Sequence, residues 1–358
     1  MFDHPSYDAH ERVHFAHDAA SGLRAIIALH STARGPGAGG CRFWSYASSA
    51  DALTDALRLS RGMSYKNALA DLPLGGGKAV VLLDPARGKT PELLRAFGRL
   101  VQSLGGAYVT AEDVGASVAD MEVVASETAF VSGLPRTAVE GDGNPSPKTA
   151  LGVFLGLKAA VRFQLGRNDL DGLSIAVQGL GGVGYELCRM LAREGAKLRV
   201  ADIREQNVRR ACTEFNATAV SVDAILFEDV DVLAPCALGA VFDETTIARV
   251  RARVIAGSAN NQLAAAQDGA RLQAAGILYA PDYVINAGGI ISAGREYLGG
   301  ADARSIEQEI RRIPVRLTEI FERAHAAQRP TSEVADEMAR ERLRAAHSSS
   351  ATGMEVEA

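Results

Sequence analysis

The segment Ser-Ile-Ala-Val-Gln-Gly-Leu-Gly-Gly-Val-Gly, residues 174–184, is a short apolar run that leads into the pattern G-x-G-x-x-G. Apolar residues at helical spacing follow it, so the glycines lie in a turn between a strand and a helix. Gly179 permits the tight turn, Gly181 lets a pyrophosphate approach the backbone, and Gly184 allows the helix to pack closely on the strand. The segment predicts a dinucleotide-binding unit; the alternative is a compact turn that binds nothing.

A second strand is predicted at 197–201 and ends at Asp202, where an acidic residue binds the ribose hydroxyls of NAD. A carboxylate at this place repels a 2′-phosphate, so it favours NAD over NADP, although Arg204 weakens that preference. Further short apolar runs alternate with helical patterns, at 232–234, 254–256 and 277–279. Strands that alternate with helices predict a parallel, doubly wound sheet.

The first part of the chain predicts an α/β domain of its own. Helical patterns cover 48–62 and 90–104, and strands are predicted at 79–83 and 107–110. Three glycines and three prolines without periodicity mark 132–148 as the connection to the rest of the chain.

We therefore expect an α/β protein of two domains with a cleft between them. Residues 1–135 form the N-terminal α/β domain, and 146–327 form a doubly wound Rossmann domain. The charged helical segment 328–346 is expected to return to the first domain, and 347–358 to be a disordered tail.

The composition excludes several classes of function. The formal net charge of −5 offers no basic field for nucleic acid, and no apolar run is long enough to span a membrane. Four cysteines without C-x-x-C spacing, and an N-terminus without the layout of a signal peptide, predict a reduced, cytoplasmic protein. His10 and His14 have the spacing of a metal pair on a helix, but no carboxylate motif accompanies them. We expect an incidental surface pair and no metal.

A run of glycines, Leu74-Gly75-Gly76-Gly77-Lys78, invites comparison with a phosphate-binding loop. That loop requires Gly at position 72 and Ser or Thr at 79, where this chain has Leu72 and Ala79, so nucleotide triphosphate chemistry is disfavoured. The glycines instead let a small ligand approach the backbone beside Lys78. Lys66 lies among small and apolar residues, where a substrate carboxylate would supply the partner that an ammonium needs. The alternative for each lysine is a solvated surface charge.

Two carboxylates, Glu112 and Asp113, follow the strand predicted at 107–110, on a loop of the kind that carries sites in α/β proteins. One of them is a candidate general acid/base, and the residue pattern does not distinguish between the two. None of the seven histidines lies in these motifs. Hydroxy-acid dehydrogenases generally rely on a histidine base, so lysines with an aspartate indicate an amine substrate. The pair Gly39-Gly40 is a second place where bare backbone meets a ligand.

Several ordered stretches between Gly22 and Gly300 resemble the Glu/Leu/Phe/Val amino acid dehydrogenase family. They include GPGAGGCRFW, SYKNALADLPLGGGKAVVLLDP, TAEDVG, GNPSPKTALG, VQGLGGVG and GSANNQLA. The resemblance implies a first domain that binds the substrate and mediates self-association, and a second that binds NAD. It also implies the oxidation of an L-amino acid to its 2-oxo acid and ammonia.

Carried over by position, the resemblance implies that Lys66 binds the substrate carboxylate and that Lys78 polarises the reacting centre through a water. Asp113 is then the general acid/base, and Asn261 contacts the amino group of the substrate. The other implied substrate residues are Gly39, Gly40, Gly76, Gly77 and Ala111. The implied cofactor residues are Gly179, Gly181, Gly182, Val183, Gly184, Asp202, Thr149, Ala237 and Asn286.

Few positions bear on the substrate within the family. Ala111 and the segment Gly-Asn-Pro-Ser-Pro at 143–147 resemble members that act on L-leucine and other branched-chain amino acids. Ala38, where a leucine is common, and Gly294-Arg295-Glu296, which is similar to the phenylalanine type, favour an aromatic substrate instead. We expect branched-chain substrates, with L-phenylalanine or another aromatic amino acid as the alternative. An inactive dinucleotide-binding regulator is the alternative from a different class.

Overall fold

The computed structural model of the chain describes residues 2–134, 144–299 and 302–354, so most of the predicted connection at 132–148 lies outside the described residues. The chain divides into two compact units. The described residues of Met1–Asn144, Ala293–Ala301 and Ala339–Ala358 form the first unit, and those of Pro145–Ser292 and Asp302–Met338 form the second.

The first unit is built on a sheet of six described strands. Its elements are β1 (Arg12–Asp18), β2 (Leu23–Ser31), β3 (Gly37–Ala38), β4 (Cys41–Trp44), α1 (Ser49–Leu69), β5 (Gly75–Leu82), α2 (Pro91–Ser103), β6 (Tyr108–Val109) and α3 (Val118–Ala125). The strand order is β1-β2-β5-β3-β6, and β4 also pairs with β5. β2 runs antiparallel to β1 and β5, whereas β3 and β4 run parallel to β5. β5 is thus the strand around which this unit is arranged.

Strand β5 is buried almost throughout because helices cover both faces of the sheet. On one face Val80 packs with Leu57 of α1, and on the other Val81 packs with Phe97 of α2. Residues two apart in a strand lie on the same face, so Lys78 shares the α1 face with Val80. Helix α1 therefore covers the face of the sheet that carries the candidate catalytic lysine.

The second unit contains a parallel sheet whose order is β12-β11-β10-β7-β8-β9. Its elements are α4 (Ser146–Leu165), β7 (Ser174–Gln178), α5 (Gly182–Arg193), β8 (Lys197–Ala201), α6 (Glu205–Phe215), β9 (Thr218–Ala219), β10 (Val232–Pro235), α7 (Glu244–Ile247), β11 (Val254–Ile255), α8 (Asp268–Ala274), β12 (Leu278–Tyr279), α9 (Asp282–Ile285), α11 (Ala303–Ile310) and α12 (Ile313–Ala327). This is the strand order of a doubly wound Rossmann sheet, with the β7-to-α5 turn at the point where the order reverses. The predicted α/β fold class is confirmed.

Two helices contribute residues to both units: α10 (Gly288–Leu298) and α13 (Thr331–Met354). α13 belongs to the first unit from Ala339 onward, and its helical backbone extends to Met354, beyond residue 347 where disorder is expected. Within the first unit, Arg342 Nη1 donates to the carbonyl oxygens of Ala68 at 3.1 Å and Leu69 at 3.4 Å. Arg342 of α13 thereby binds two carbonyls of the last turn of α1.

The expected surface pair of histidines on a helix is wrong. His10 precedes β1 and is 5% exposed, and its Nε2 lies 3.0 Å from the carbonyl oxygen of Leu57. His14 lies within β1. Among the described residues, no group of three or more His, Cys, Asp or Glu side chains is placed to hold a metal ion. Over the same ranges, no helix combines the length and apolar character needed to cross a membrane.

Candidate active site

An ion pair joins the predicted lysine of β5 to one of the two predicted carboxylates. Lys78 Nζ lies 2.8 Å from Oδ2 of Asp113, which follows β6. Only 7% of the Lys78 side chain is exposed, against 24% for Asp113. The neighbouring Glu112 is exposed at the surface of the same loop. The geometry therefore favours Asp113 over Glu112 as the partner of the buried lysine.

A second cation, which the sequence analysis missed, contacts the same carboxylate. Arg42 Nε donates to Oδ2 of Asp113 at 3.2 Å, and Arg42 Nη1 donates to Oδ2 of Asp55 at 2.7 Å. The hydroxyl of Tyr46 donates to that same oxygen of Asp55 at 2.6 Å. The signal was present in β4, where Cys41 and Phe43 are buried and the arginine between them faces the opposite side of the sheet.

The charges around Asp113 determine its protonation. Burial by itself raises the pKa of its carboxyl, but the positive charges of Lys78 and Arg42 outweigh burial and hold that pKa below its usual range. Burial raises the pKa of the Cys41 thiol to about 12 and that of the Tyr108 hydroxyl well above its ordinary value. Asp113 is therefore an anion beside neutral Cys41 and Tyr108 at neutral pH.

Close packing within the first unit explains the glycines beside this ion pair. A Cβ on Gly39 would lie 2.1 Å from the carbonyl oxygen of Gly77, and one on Gly40 would lie 2.8 Å from Cβ of Asp113. A Cβ on Gly77 would lie 2.7 Å from the Tyr108 ring. The protein itself requires glycine at these places, whether or not a ligand also approaches the backbone.

Helix α1, which carries Lys66, packs against the glycines at the start of β5. The neighbouring Asn67 is fully buried, and its amide nitrogen donates to the carbonyl oxygen of Gly75 at 2.6 Å. A Cβ on Gly76 would lie 2.2 Å from Oγ of Ser64, one turn earlier on the helix. Lys66 itself is partly buried in the last turn of α1. The backbone of β5 and the helix that carries Lys66 are thus held in direct contact, while Ala111 lies on the loop just before Asp113.

In the second unit, the glycine turn has the geometry that a dinucleotide requires. Gly179 has φ +90°, and a Cβ there would lie 2.8 Å from Cβ of Ala237. A Cβ on Gly184 would lie 2.0 Å from the carbonyl oxygen of Gly179. A Cβ on Gly181 would meet no protein atom within 4 Å, and Gly181 is the N-cap of α5, which begins with Gly182-Val183. Open space at a helix N-terminus is where a pyrophosphate binds.

The predicted ribose-binding residue lies beside this turn. Oδ2 of Asp202 accepts from the Leu180 backbone N–H at 2.6 Å, and Oδ1 accepts from that of Arg204 at 2.7 Å. These bonds fix the carboxylate at the end of β8, next to the glycines. The residues present therefore fit an adenosine dinucleotide.

The remaining predicted cofactor residues occupy the ends of neighbouring elements in this unit. Asn286 is 4% exposed, and its amide nitrogen donates to the carbonyl oxygen of Ser258 at 3.0 Å and to Oδ1 of Asn260 at 2.7 Å. Asn261 follows in the left-handed conformation, with φ +52°. Thr149 lies in the first turns of α4, where its hydroxyl donates to the carbonyl oxygen of Pro145 at 3.0 Å. Asn286 thus fixes the loop that presents Asn261.

A doubly wound sheet with this turn, in one chain with a buried lysine-aspartate pair, defines a dinucleotide-dependent oxidoreductase. Two family models match the chain: "Glu/Leu/Phe/Val dehydrogenase, dimerisation domain" over residues 9–130, and "Glutamate/Leucine/Phenylalanine/Valine dehydrogenase" over residues 198–352. The chain is 47% identical to leucine dehydrogenase of Thermoactinomyces intermedius, over 96% of this chain and 93% of that protein.

Two further relatives are named for aromatic amino acids. Phenylalanine dehydrogenase of Bacillus thermotolerans is 44% identical, over 94% of this chain and 89% of that protein. The crystal structure of L-tryptophan dehydrogenase from Nostoc punctiforme superposes with a TM-score of 0.84 at 42% identity, over 94% of this chain and 97% of that one.

The chain belongs to the Glu/Leu/Phe/Val dehydrogenase family. It is an amino acid dehydrogenase, an oxidoreductase that acts on CH–NH₂ donors, and family membership implies a nicotinamide dinucleotide cofactor. The resemblance found in the sequence motifs is thereby confirmed.

Proposed function

We propose that this protein catalyses the reversible, NAD-dependent oxidation of L-leucine and other branched-chain L-amino acids to 2-oxo acids and ammonia. The observation that carries the proposal is the buried Lys78–Asp113 ion pair, at 2.8 Å, beside glycine-only backbone. The leucine preference rests on the 47% identity to a leucine dehydrogenase over nearly the whole chain. An aromatic amino acid is the alternative, favoured by the relatives named for phenylalanine and tryptophan.

In the proposed reaction, each site residue has a separate role. Lys66 binds the substrate carboxylate, and Asn261 contacts the amino group. NAD would be held by the second unit and would supply the hydride acceptor for Cα. Lys78 orients the water that adds to the iminium carbon of the oxidised substrate and stabilises the charge that develops there, while Asp113 takes one proton from that water and passes it to the amine. As the C–N bond breaks and the carbonyl forms, Asp113 takes the remaining hydroxyl proton and releases it to solvent. One water is consumed, and ammonia and the 2-oxo acid are released.

Asp202 supports NAD as the cofactor over NADP, because a carboxylate fixed at the end of β8 accepts from ribose hydroxyls and repels a 2′-phosphate. We propose that the first unit binds the amino acid, that the second binds NAD through Gly179–Gly184, Thr149, Ala237 and Asn286, and that the protein self-associates. The match of residues 9–130 to a dimerisation domain supports self-association.

The direct test is NADH formation by the purified protein with NAD⁺ or NADP⁺, using L-leucine, L-valine, L-phenylalanine, L-tryptophan, L-glutamate and L-lactate separately. We expect the highest kcat/KM with NAD⁺ and L-leucine or L-valine. If an aromatic amino acid gave the highest kcat/KM, the proposed reaction would stand and the proposed substrate would change. Inactivity with every amino acid would favour the regulator, and activity with L-lactate alone would indicate a hydroxy-acid enzyme.

Replacing Lys66 by alanine should act mainly on amino acid binding. We expect KM for the amino acid to rise about 30-fold, which is about 2 kcal/mol for a lost charge-assisted contact, with kcat changed less. Initial-rate kinetics and NADH titration of Lys66→Ala measure this, with Arg58→Ala, an exposed cation on the same helix, as the control. An unchanged KM would contradict the carboxylate assignment.

A further inference from the structure

The parallel register of β4 and β5 places two cations on one carboxylate. Arg42 pairs with Val80, and Val80 lies on the same face of β5 as Lys78 two residues earlier. Both side chains therefore extend from the α1 face of the sheet. Their nearest contacts to Asp113 are with the same oxygen, Oδ2, at 3.2 Å from Arg42 Nε and 2.8 Å from Lys78 Nζ.

Arg42 is itself fixed from its other end. Its guanidinium is planar and permanently charged, so Nε and Nη1 can bind two carboxylates in a set geometry. Nη1 contacts Oδ2 of Asp55 at 2.7 Å, and Tyr46 donates to that oxygen at 2.6 Å. The exposed fractions are 22% for the Arg42 side chain and 27% for Asp55, which indicates a partly enclosed network rather than a free surface pair.

We propose that Arg42 is a positioning residue for the reaction: it keeps Oδ2 of Asp113 in place while Lys78 turns its ammonium to the substrate. This inference rests on the proposed function, in which Lys78 also acts on the water at Cα. A lysine that alone fixed the carboxylate would release it on turning. With Arg42 bound to Oδ2, Asp113 keeps its place, and Oδ1 is the oxygen that exchanges the proton.

The charge of Arg42 also sets the pH range of the site. Among the described residues, the other ionisable groups that interact with Asp113 include Lys78 from β5, Cys41 from β4 and Tyr108 from β6. Burial raises the pKa of both Cys41 and Tyr108, so neither of them titrates on the acid side. The positive charge of Arg42 is one of the causes that hold the pKa of Asp113 low, so its loss should raise that pKa.

The test compares Arg42→Gln and Arg42→Lys with the wild-type enzyme, measuring kcat and kcat/KM against pH. We expect Arg42→Gln to lower kcat at neutral pH about tenfold or more and to shift the acid limb upward by about one pH unit. Arg42→Lys should restore the acid limb, because it restores the charge. It should leave kcat reduced, because an ammonium cannot bridge Asp55 and Asp113 as a guanidinium does.

Two milder substitutions test the same network in case the Arg42 variants do not fold. Asp55→Asn and Tyr46→Phe are nearly isosteric, and we expect them to lower kcat by successively smaller factors without changing the NADH dissociation constant. Arg34→Gln is the matched control: Arg34 is a half-buried arginine of the same unit, paired with Asp71 at 3.2 Å, and its loss should lower the melting temperature without moving the acid limb.

The outcomes separate the inference from the proposed function. If the wild-type enzyme oxidises amino acids and Arg42→Gln leaves the acid limb in place, the role of Arg42 is overturned and the proposed function stands. A wild-type protein inactive with every amino acid would overturn the proposed function and this role with it. If kcat fell only in proportion to the melting temperature across all variants, and the acid limb did not move, Arg42 would have a structural role only.

Discussion

Lys78→Ala should lower kcat by about 10³-fold or more while the NADH dissociation constant stays within about twofold of wild type. The lysine lies in the first unit, buried against Asp113, whereas the glycine turn and Asp202 lie in the second. Turnover should therefore fail without loss of cofactor binding. Steady-state kinetics with the preferred amino acid and fluorescence titration with NADH measure the two quantities.

The same substitution should leave the protein folded, because Arg42 remains 3.2 Å from Asp113 and the carboxylate keeps a cationic partner. Thermal unfolding checks this point. Lys89→Ala is the matched control, since Lys89 forms an ion pair with Asp120 elsewhere in the first unit. It should change kcat by less than about twofold. Loss of NADH binding together with turnover in Lys78→Ala would contradict the assigned role.

The fold was predictable where the strands are buried on both faces. β7, β8 and β10 have apolar, buried residues at their centres or C-terminal ends, and the predicted strands at 174–178, 197–201 and 232–234 agree with them to within one residue at each end. The antiparallel pair β1–β2 was not predicted. Phe15 of β1 is 60% exposed, so β1 does not show the regular alternation that identifies a half-buried strand.

Site residues were predictable only where they belong to a short sequence motif. Lys78 and Asp113 each stand out in their own motif, but their contact joins residues far apart in the chain, and the choice of Asp113 over Glu112 needed the family resemblance. Arg42, Asp55 and Tyr46 depend on the register of β4 against β5 and on the position of α1. Neither is set by local pattern, which explains why this network was missed.

The glycine turn gives the second large effect. Gly181→Ala should weaken NADH binding about 100-fold while changing the melting temperature by less than about 2 °C. The backbone of Gly181 has φ −71°, which alanine adopts freely, and a Cβ there meets no protein atom within 4 Å. The added methyl group therefore makes no close contact in the free protein, and in the proposed function it occupies the space of the pyrophosphate.

Two other glycines separate ligand contact from packing. Gly184→Ala should destabilise the fold itself, because its Cβ would lie 2.0 Å from the carbonyl oxygen of Gly179. Gly62→Ala, in the middle of α1 with nothing within 4 Å, should stabilise the protein by about 1 kcal/mol and leave NADH binding unchanged. If Gly181→Ala bound NADH as tightly as wild type, the turn would be only a compact connection between β7 and α5. The dinucleotide would then have to bind elsewhere.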